Sequence, residues 1–105
     1  MFISVRKYHN VKSVDEVRRR VELEFVPTLK QNAGFIGYHL IDCGCPDSGN
    51  IVTSISIFAD WESVLASNDA AKDFIKHRLA DLIPEPAEAV GGEAIVSVTR
   101  QRAHA

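Results

Sequence analysis

The chain has 105 residues, of which 46% are hydrophobic and 25% charged, and its formal net charge is -2. These values are typical of one globular domain that can bury a core of its own. They argue against a nucleic-acid-binding surface, which is usually strongly basic. No apolar run approaches the about 20 residues that span a membrane, and MFISVRKYHN lacks the layout of a signal peptide. We therefore expect a single domain over residues 1–105, located in the cytoplasm, that binds neither nucleic acid nor membrane.

The first predicted elements are a short strand, FISVRKY at residues 2–8, and a helix over residues 13–34. Ser13 and Glu16 form a capping-box pattern, in which the hydroxyl accepts from a free backbone N–H and the carboxylate reaches back. Pro27 is predicted to bend or split the helix, and Gly34 to end it in the left-handed conformation. One apolar stripe follows the helix: Val14, Val17, Val21, Phe25 and Leu29.

Two strands are predicted next, at residues 35–43 and 51–59, joined by the turn-forming segment CGCPDSGN. A second helix begins at the N-cap residue Asp60 and extends to about residue 83. Its apolar face consists of Ala71, Phe74, Ile75, Leu79, Leu82 and Ile83. The polar residues 67–69 could divide this helix, and Pro84 and Pro86 end it. A last strand is predicted at residues 93–100, followed by a frayed tail, QRAHA.

The order β-α-β-β-α-β predicts an α+β, ferredoxin-like fold with a four-stranded antiparallel sheet. Two helices can cover only one face of that sheet. The strands are nevertheless apolar on both faces, since Ile55 and Ile57 alternate with Val52 and Phe58. A bare apolar face of this size is rare in monomers. We therefore expect a homodimer formed through the sheet face.

The segments NAGFIGYHLID, VTSISIFADWESVLAS, FIKHRLADLIPEP and GGEAIVSV resemble the antibiotic-biosynthesis-monooxygenase-like (ABM) family of the dimeric α/β-barrel superfamily. The family pattern is matched by Pro27 late in the first helix, Gly34-Phe35 opening the second strand, and Phe58 ending the third. Glu62 and Ala66-Ser67 match the helix that follows. The resemblance covers nearly the whole chain. It implies a dimeric α/β barrel with a ligand cavity between the helices and the sheet of each protomer.

The resemblance also implies several functions, because the family includes cofactor-independent oxygenases, haem-degrading enzymes and proteins of no known activity. Fold alone does not give the chemistry. One hypothesis is a small monooxygenase that acts on an aromatic or quinone-like compound with oxygen and no bound cofactor. The other is a dimeric small-molecule-binding or stress-associated protein that uses the same cavity without turnover.

Polar residues on the predicted strands supply the site candidates. Tyr8, Tyr38 and His39 lie on strands expected to be buried on both faces, where a polar side chain needs a hydrogen-bond partner. A neutral imidazole with a reference pKa of about 6.5 could accept a phenolic proton from the substrate, so His39 is the candidate catalytic base. Alternation along the strand puts His39 and Tyr38 on opposite faces. At most one of them can therefore line a given cavity.

Phe58 and Trp61 are the aromatic ligand-binding candidates, with Tyr8 and Tyr38. Phe58 takes the place of the aromatic residue that ends the family's third strand. Trp61, three residues later, could line the mouth of the cavity, although packing at the helix start is the simpler interpretation.

Haem degradation is the less favoured function. His77 would be the iron-binding histidine of that branch, but it lies away from the apolar face of the second helix and should face solvent. The branch also carries an asparagine within its first strand, where this chain has Ile3-Ser4-Val5-Arg6. We accordingly predict no cofactor.

Two further clusters are interpreted as structural. Cys43 and Cys45 could chelate together, but a structural zinc ion takes four ligands and the sequence offers no second pair, so no metal site is predicted. His39 lies about 13 Å from Cys43 along an extended strand, too far to share an ion with it. Arg18-Arg19-Arg20 fan around a helix and have acidic partners four residues away, which favours a solvated, self-paired surface.

Overall fold

A four-stranded antiparallel sheet carries all the helices on one face. The computed structural model describes residues 1–46 and 49–100. Its strands are β1 (Phe2–Val11), β2 (Phe35–Asp42), β3 (Asn50–Phe58) and β4 (Glu88–Glu93). Its helices are α1 (Val14–Arg20), α2 (Val26–Lys30) and α3 (Trp61–Phe74). A first π turn, Val21–Phe25, joins α1 to α2, and a second, Ile75–Leu79, continues α3.

The strand order is β2-β3-β1-β4, so β1 and β3 form the centre of the sheet. Val5 on β1 faces Ile55 on β3 and Val90 on β4. The ferredoxin-like fold predicted from the sequence is confirmed.

The core lies between the helices and the inner face of the sheet. Alternate residues of β1 and β3 point into it, including Tyr8, Val52 and Phe58. The predicted helical stripe is confirmed, since its last four residues are all buried: Val17, Val21, Phe25 and Leu29. This burial supplies most of the driving force for folding, at roughly 25 cal/mol per Å² of apolar surface.

The first helix begins as predicted but pairs its charges differently. Ser13 caps it by accepting a hydrogen bond from the Glu16 backbone N–H. The Glu16 carboxylate does not reach back to the cap. It binds Arg19 and Arg20 instead, and those hydrogen bonds lower its pKa to about 2. The predicted capping box is therefore only half formed.

Ion pairs join the first helical segment to the second, whereas the sequence suggested pairs within the first helix only. Arg20 pairs with Glu16 as predicted, but it also reaches Asp81 at 2.9 Å. Glu24 pairs with Arg78 of the second π turn at 2.6 Å, and not with Arg20. The arginine cluster therefore ties the first helix to the end of the second.

Pro27 and Gly34 act differently from the expectation. The widened first π turn ends just before α2, in which Pro27 lies in the first turn, so the helix continues past proline. Gly34 is buried and is not among the residues with positive φ. A Cβ there would clash with Ser63 Oγ and lie 2.8 Å from Ser63 Cβ. Close packing against α3, and not a left-handed conformation, requires this glycine.

The predicted break in the second helix at residues 67–69 is wrong. α3 starts at its N-cap Asp60, whose side chain accepts from the Ser63 N–H, and it runs unbroken to Phe74. The polar side chains of two of these residues form hydrogen bonds that leave the helix intact. Ser67 Oγ donates to the Val64 carbonyl, and the side chain of Asn68 accepts hydrogen bonds from β1.

The last strand lies earlier than predicted, at Glu88–Glu93 instead of 93–100. It pairs with β1 from Lys7↔Glu88 to Phe2↔Glu93, and the Ala94 N–H donates to the Met1 carbonyl. The observed pairing with β1 ends at this point. The strongly β-forming residues that follow, Ile95, Val96 and Val98, are 80–89% exposed. The QRAHA tail lies outside the described residues.

The outer face of the sheet carries no helix and is apolar, as the alternation predicted. Ile3, Val5, Ile55 and Ile57 lie on it and are only partly buried. Among the residues that the structure describes, no helix is long and apolar enough to cross a membrane.

Replacing Gly34 by alanine should destabilise the fold by about 1–3 kcal/mol, because a core with no spare room must move to accept one methyl group. Urea unfolding measures this as a lower transition midpoint. Gly92→Ala is the matched control, since nothing lies within 4 Å of the Cβ it would add. Adding Ser63→Gly to the Gly34→Ala variant should recover part of the loss. Equal stability of the Gly34 and Gly92 variants would contradict this account.

Candidate active site between the helices and the sheet

A small cavity lies between the inner face of the sheet and the helices that cover it. Its volume is about 20 Å³, enough for one water molecule. Each π turn contributes two wall residues, Val21 and Phe25 from the first and Ile75 and Leu79 from the second. π turns inside α-helices are frequent at functional sites, and here both of them face the same space.

Aromatic side chains surround this inner cavity. Phe25 stacks on Phe74 with ring centroids 5.2 Å apart and meets the Tyr38 ring edge-on at 6.0 Å. Val52 and Leu40 complete the apolar wall on the side of the sheet. A flat apolar ring would gain area burial and aromatic contact from such a lining, but it would have to displace side chains, because the cavity holds only one water molecule.

Two phenols, the buried Tyr8 and the partly buried Tyr38, give the inner cavity a polar end. Burial is the main cause that raises the pKa of both phenols, and the Arg6 charge and the neighbouring Ser54 hydroxyl offset only part of this effect. Both tyrosines are therefore protonated near neutral pH. They can donate a hydrogen bond to a ligand oxygen, but they cannot serve as ready bases.

Arg6, two residues before Tyr8 on the same face of β1, is only 8% exposed. Its Nη2 donates to Asn68 Oδ1 at 3.0 Å and to the Asn68 carbonyl at 3.4 Å, while Ser4 Oγ also donates to Asn68 Oδ1. No carboxylate of residues 1–46 and 49–100 forms a salt bridge with this guanidinium. A buried cation held only by neutral groups favours a nearby anion.

Sequence reasoning missed Arg6, although a signal was present. Ser4, Arg6 and Tyr8 alternate along one strand, so they share the face that must look toward the helices. A charge at such a position needs a special partner. The partner, Asn68, was interpreted as a helix breaker.

A larger cleft of about 290 Å³ adjoins the inner cavity beside β2. Arg18, Glu22 and Asp42 lie at its polar rim. Four residues line both spaces: Val21, Tyr38, Leu40 and Val52. This cleft therefore forms a mouth through which a small molecule could reach Tyr38.

His39 lies apart from the residues that line the inner cavity and the cleft beside β2. It is exposed and lies on the outer face, opposite its neighbour Tyr38, as strand alternation requires. It lines neither the inner cavity nor the adjoining cleft. The structure therefore brings Tyr8 and Tyr38 together and leaves His39 outside.

Phe58 and Trp61 also lie outside the cavity wall. Phe58 is fully buried in the core and meets Phe35 edge-on at 6.1 Å. Trp61 is 41% exposed at the start of α3 and packs against Phe2, with ring centroids 5.8 Å apart. Both positions match the packing interpretation more closely than contact with a ligand.

The remaining candidates are on the surface. His77 is exposed and faces Asp73 one turn away at 3.3 Å. Cys43 and Cys45 are exposed free thiols, and Cys43 Sγ lies 3.3 Å from Thr53 Oγ1. Within the described part of the chain, no three His, Cys, Asp or Glu side chains are grouped as metal ligands.

A wider cleft, about 560 Å³, lies between the end of α2 and the start of α3. Small side chains such as Ala33, Ala66 and Ala70 line much of it. Asp60 and Glu62 are acidic side chains in its wall, and Asp60 already caps α3. None of the predicted catalytic or ligand-binding residues lines it.

The fold has well-defined relatives among solved structures, although no protein-family model and no curated protein matches the chain. One is a monooxygenase from the ActVA-Orf6 gene of Streptomyces coelicolor, solved in complex with nanaomycin D. It superposes with a TM-score of 0.65 at 15% sequence identity, and the superposition covers 95% of this chain and 92% of that one. SnoaB, a cofactor-independent oxygenase from Streptomyces nogalater, gives 0.64 at 16% identity, covering 94% and 98%.

A third similar structure is MhuD with two manganese protoporphyrin IX molecules bound per active site. Its TM-score is 0.66 at 14% identity, covering 95% of this chain and all of the other. The chain has the ferredoxin-like fold of the antibiotic biosynthesis monooxygenases. At these identities the likeness shows the fold alone, and the resemblance found in the sequence is confirmed at that level.

We expect both tyrosines to resist ionisation near pH 10, the ordinary tyrosine value. Their pKa values are raised in the folded state, so their contribution to stability is fully present below that pH and is lost as pH rises through the folded-state values. Ultraviolet absorbance of tyrosinate should therefore rise together with alkaline unfolding, followed by circular dichroism. Ionisation of either phenol at pH 10 in folded protein would contradict its burial.

Proposed function

We propose that the protein is a small monooxygenase-like enzyme that acts on an aromatic or quinone-like molecule without a bound cofactor. The observation that carries the proposal is the polar end of the inner cavity, where two neutral phenols face an otherwise apolar space. The buried Arg6 guanidinium does not line this cavity, but its charge acts on both phenols.

The chemistry follows from this arrangement. A substrate ring would enter through the cleft beside β2 and lie among Phe25, Phe74 and Leu40, with its oxygen toward Tyr8 and Tyr38. The phenols would donate hydrogen bonds to that oxygen, and the Arg6 charge would favour its anionic form. Such preorganised donors act most strongly in water-excluded sites.

The proton and the electrons can be accounted for. No imidazole or carboxylate among the described residues lines the inner cavity, so the substrate proton passes to solvent. The position of His39 does not favour it as the base. Molecular oxygen then oxidises the electron-rich ring: an activated CH₂ becomes a carbonyl, one oxygen atom enters the product, and the other leaves as water.

The competing function is ligand binding without turnover. It is favoured by the small volume of the inner cavity, which the side chains nearly fill. Haem binding is less favoured, because His77 faces solvent and pairs with Asp73.

We further propose that two copies associate through the outer face of the sheet. The apolar residues of that face, with Val5 and Ile55 paired at its centre, have no helix to cover them. Ile95, Val96 and Val98 add exposed apolar surface beyond β4. A second copy of the chain offers the same two surfaces, so an isologous dimer could bury both.

Tyr38→Phe should lower the turnover of an anthrone, which carries the activated CH₂, by about 10- to 100-fold, in line with the loss of one preorganised donor. Oxygen uptake measures the rate, and quenching of protein fluorescence measures binding separately. Thr28→Val removes a surface hydroxyl and should leave turnover within about twofold of the wild type. Tight binding of the anthrone without oxygen uptake by the wild type would favour the binding protein instead.

Ile55→Lys should convert the dimer to a monomer, because it buries a charge at the centre of the proposed interface. Sedimentation at micromolar concentration gives the oligomeric state. Leu23→Lys, at a position 63% exposed on the first π turn, is the control and should remain dimeric. A wild-type chain that sediments as a monomer would overturn this proposal.

A further inference from the structure

A second pocket of about 400 Å³ lies on the other side of α3, toward β4. Ile75 separates it from the inner cavity, since this side chain lines both spaces. Arg6 forms its buried floor and Asn68 stands beside it. The pocket shares no wall residue with the aromatic cavity except Ile75.

Three cations line this pocket, and none of the described residues that line it is acidic. Lys72 lies on α3 and Lys76 on the second π turn, four residues later, and both are exposed, whereas Arg6 is buried. In the portion of the chain that the structure describes, none of the three has a salt-bridge partner. Three like charges on one pocket favour an anion as its ligand.

The acids on the neighbouring segments, Asp69 among them, do not line the pocket, and three of them have other partners. Asp73 faces His77, Glu85 accepts a hydrogen bond from Asn10, and Glu88 faces His9. Both hydrogen bonds from Arg6 to Asn68 use Nη2, so Asn68 engages only one of the three nitrogen atoms of the guanidinium. A guanidinium presented in this way matches a carboxylate or phosphate group.

The rest of the wall is apolar. Ile75, Pro86, Ala87 and Ala89 face the cations across the pocket. Its volume falls in the range typical of small-molecule sites. An inorganic anion would satisfy the cations but would leave this apolar side unfilled.

We propose that this pocket binds a small organic acid, with its carboxylate on Arg6, Lys72 and Lys76 and its apolar body against Pro86, Ala87 and Ala89. The carboxylate of the ligand would neutralise the positive charge of Arg6. This site does not require the proposed oxygenase activity: it lies on the β4 side of α3, and of the residues invoked for that activity it uses only Arg6.

Calorimetric titration at low ionic strength with naphthoate, its neutral amide and inorganic phosphate tests the proposal. Naphthoate should bind at least about tenfold more tightly than either of the others, since one lacks charge and the other lacks an apolar body. The Lys72→Gln/Lys76→Gln variant should weaken naphthoate binding by about tenfold or more. The matched control Lys12→Gln/Lys30→Gln, which removes two exposed lysines far from the pocket, should leave it unchanged.

Amide chemical shifts locate the bound acid. Naphthoate should shift the signals of Ala87, Ala89 and Lys72. Arg6→Met should abolish binding if it folds, and if it does not, the lysine pair carries the test. Binding that is unchanged in the lysine variant, equal affinity for phosphate, or shifts confined to Phe25 and Leu40 would each overturn the proposal. Oxygen uptake with an anthrone by the lysine variant reports separately on the oxygenase activity.

Discussion

The hydrogen bonds between the Arg6 guanidinium and Asn68 hold together the parts of this molecule that concern function. They fix a cation on the inner face of β1, beneath the middle of α3, where water is largely excluded. Burying a charge without a counter-ion costs on the order of several kcal/mol even after the surroundings relax. The fold tolerates this cost with neutral partners, so the unbalanced charge is open to the pocket toward β4 and acts on the phenols of the inner cavity only through its field.

Those spaces differ in a way that follows from the helices. Toward β2 and β3, the two π turns face each other and hold Phe25 against Phe74, which leaves room for little more than a water molecule. A ligand would have to displace these rings, and a widened turn can shift more readily than a regular α-helix. Toward β4, the pocket is already open and its charge is already in place. The structure thus combines a closed aromatic cavity with an open cationic pocket.

Much of the fold could be predicted from local patterns. Helical spacing identified the buried stripe from Val17 to Leu29, and the capping residues Ser13 and Asp60 marked both helix starts. Local patterns failed where a residue distant in sequence determines the local structure. The last strand was misplaced because its β-forming residues continue past the start of β1, and Gly34 was misinterpreted because Ser63 lies far away in sequence. The site could be predicted only in part: alternation identified Tyr8 and Tyr38, but the importance of Arg6 depends on Asn68, which is 62 residues distant.

The central claim is that an aromatic ligand binds with its oxygen against the two phenols of the inner cavity. Tyr8 and Tyr38 are the only tyrosines of the chain, so isotope-labelled tyrosine gives two ring signals in a nuclear magnetic resonance spectrum. When a hydroxynaphthoquinone is added, both signals should shift and show direct magnetisation transfer from the ligand protons. If the ligand binds elsewhere and both tyrosine signals stay unchanged at saturation, the inner cavity is packing alone and the account is contradicted.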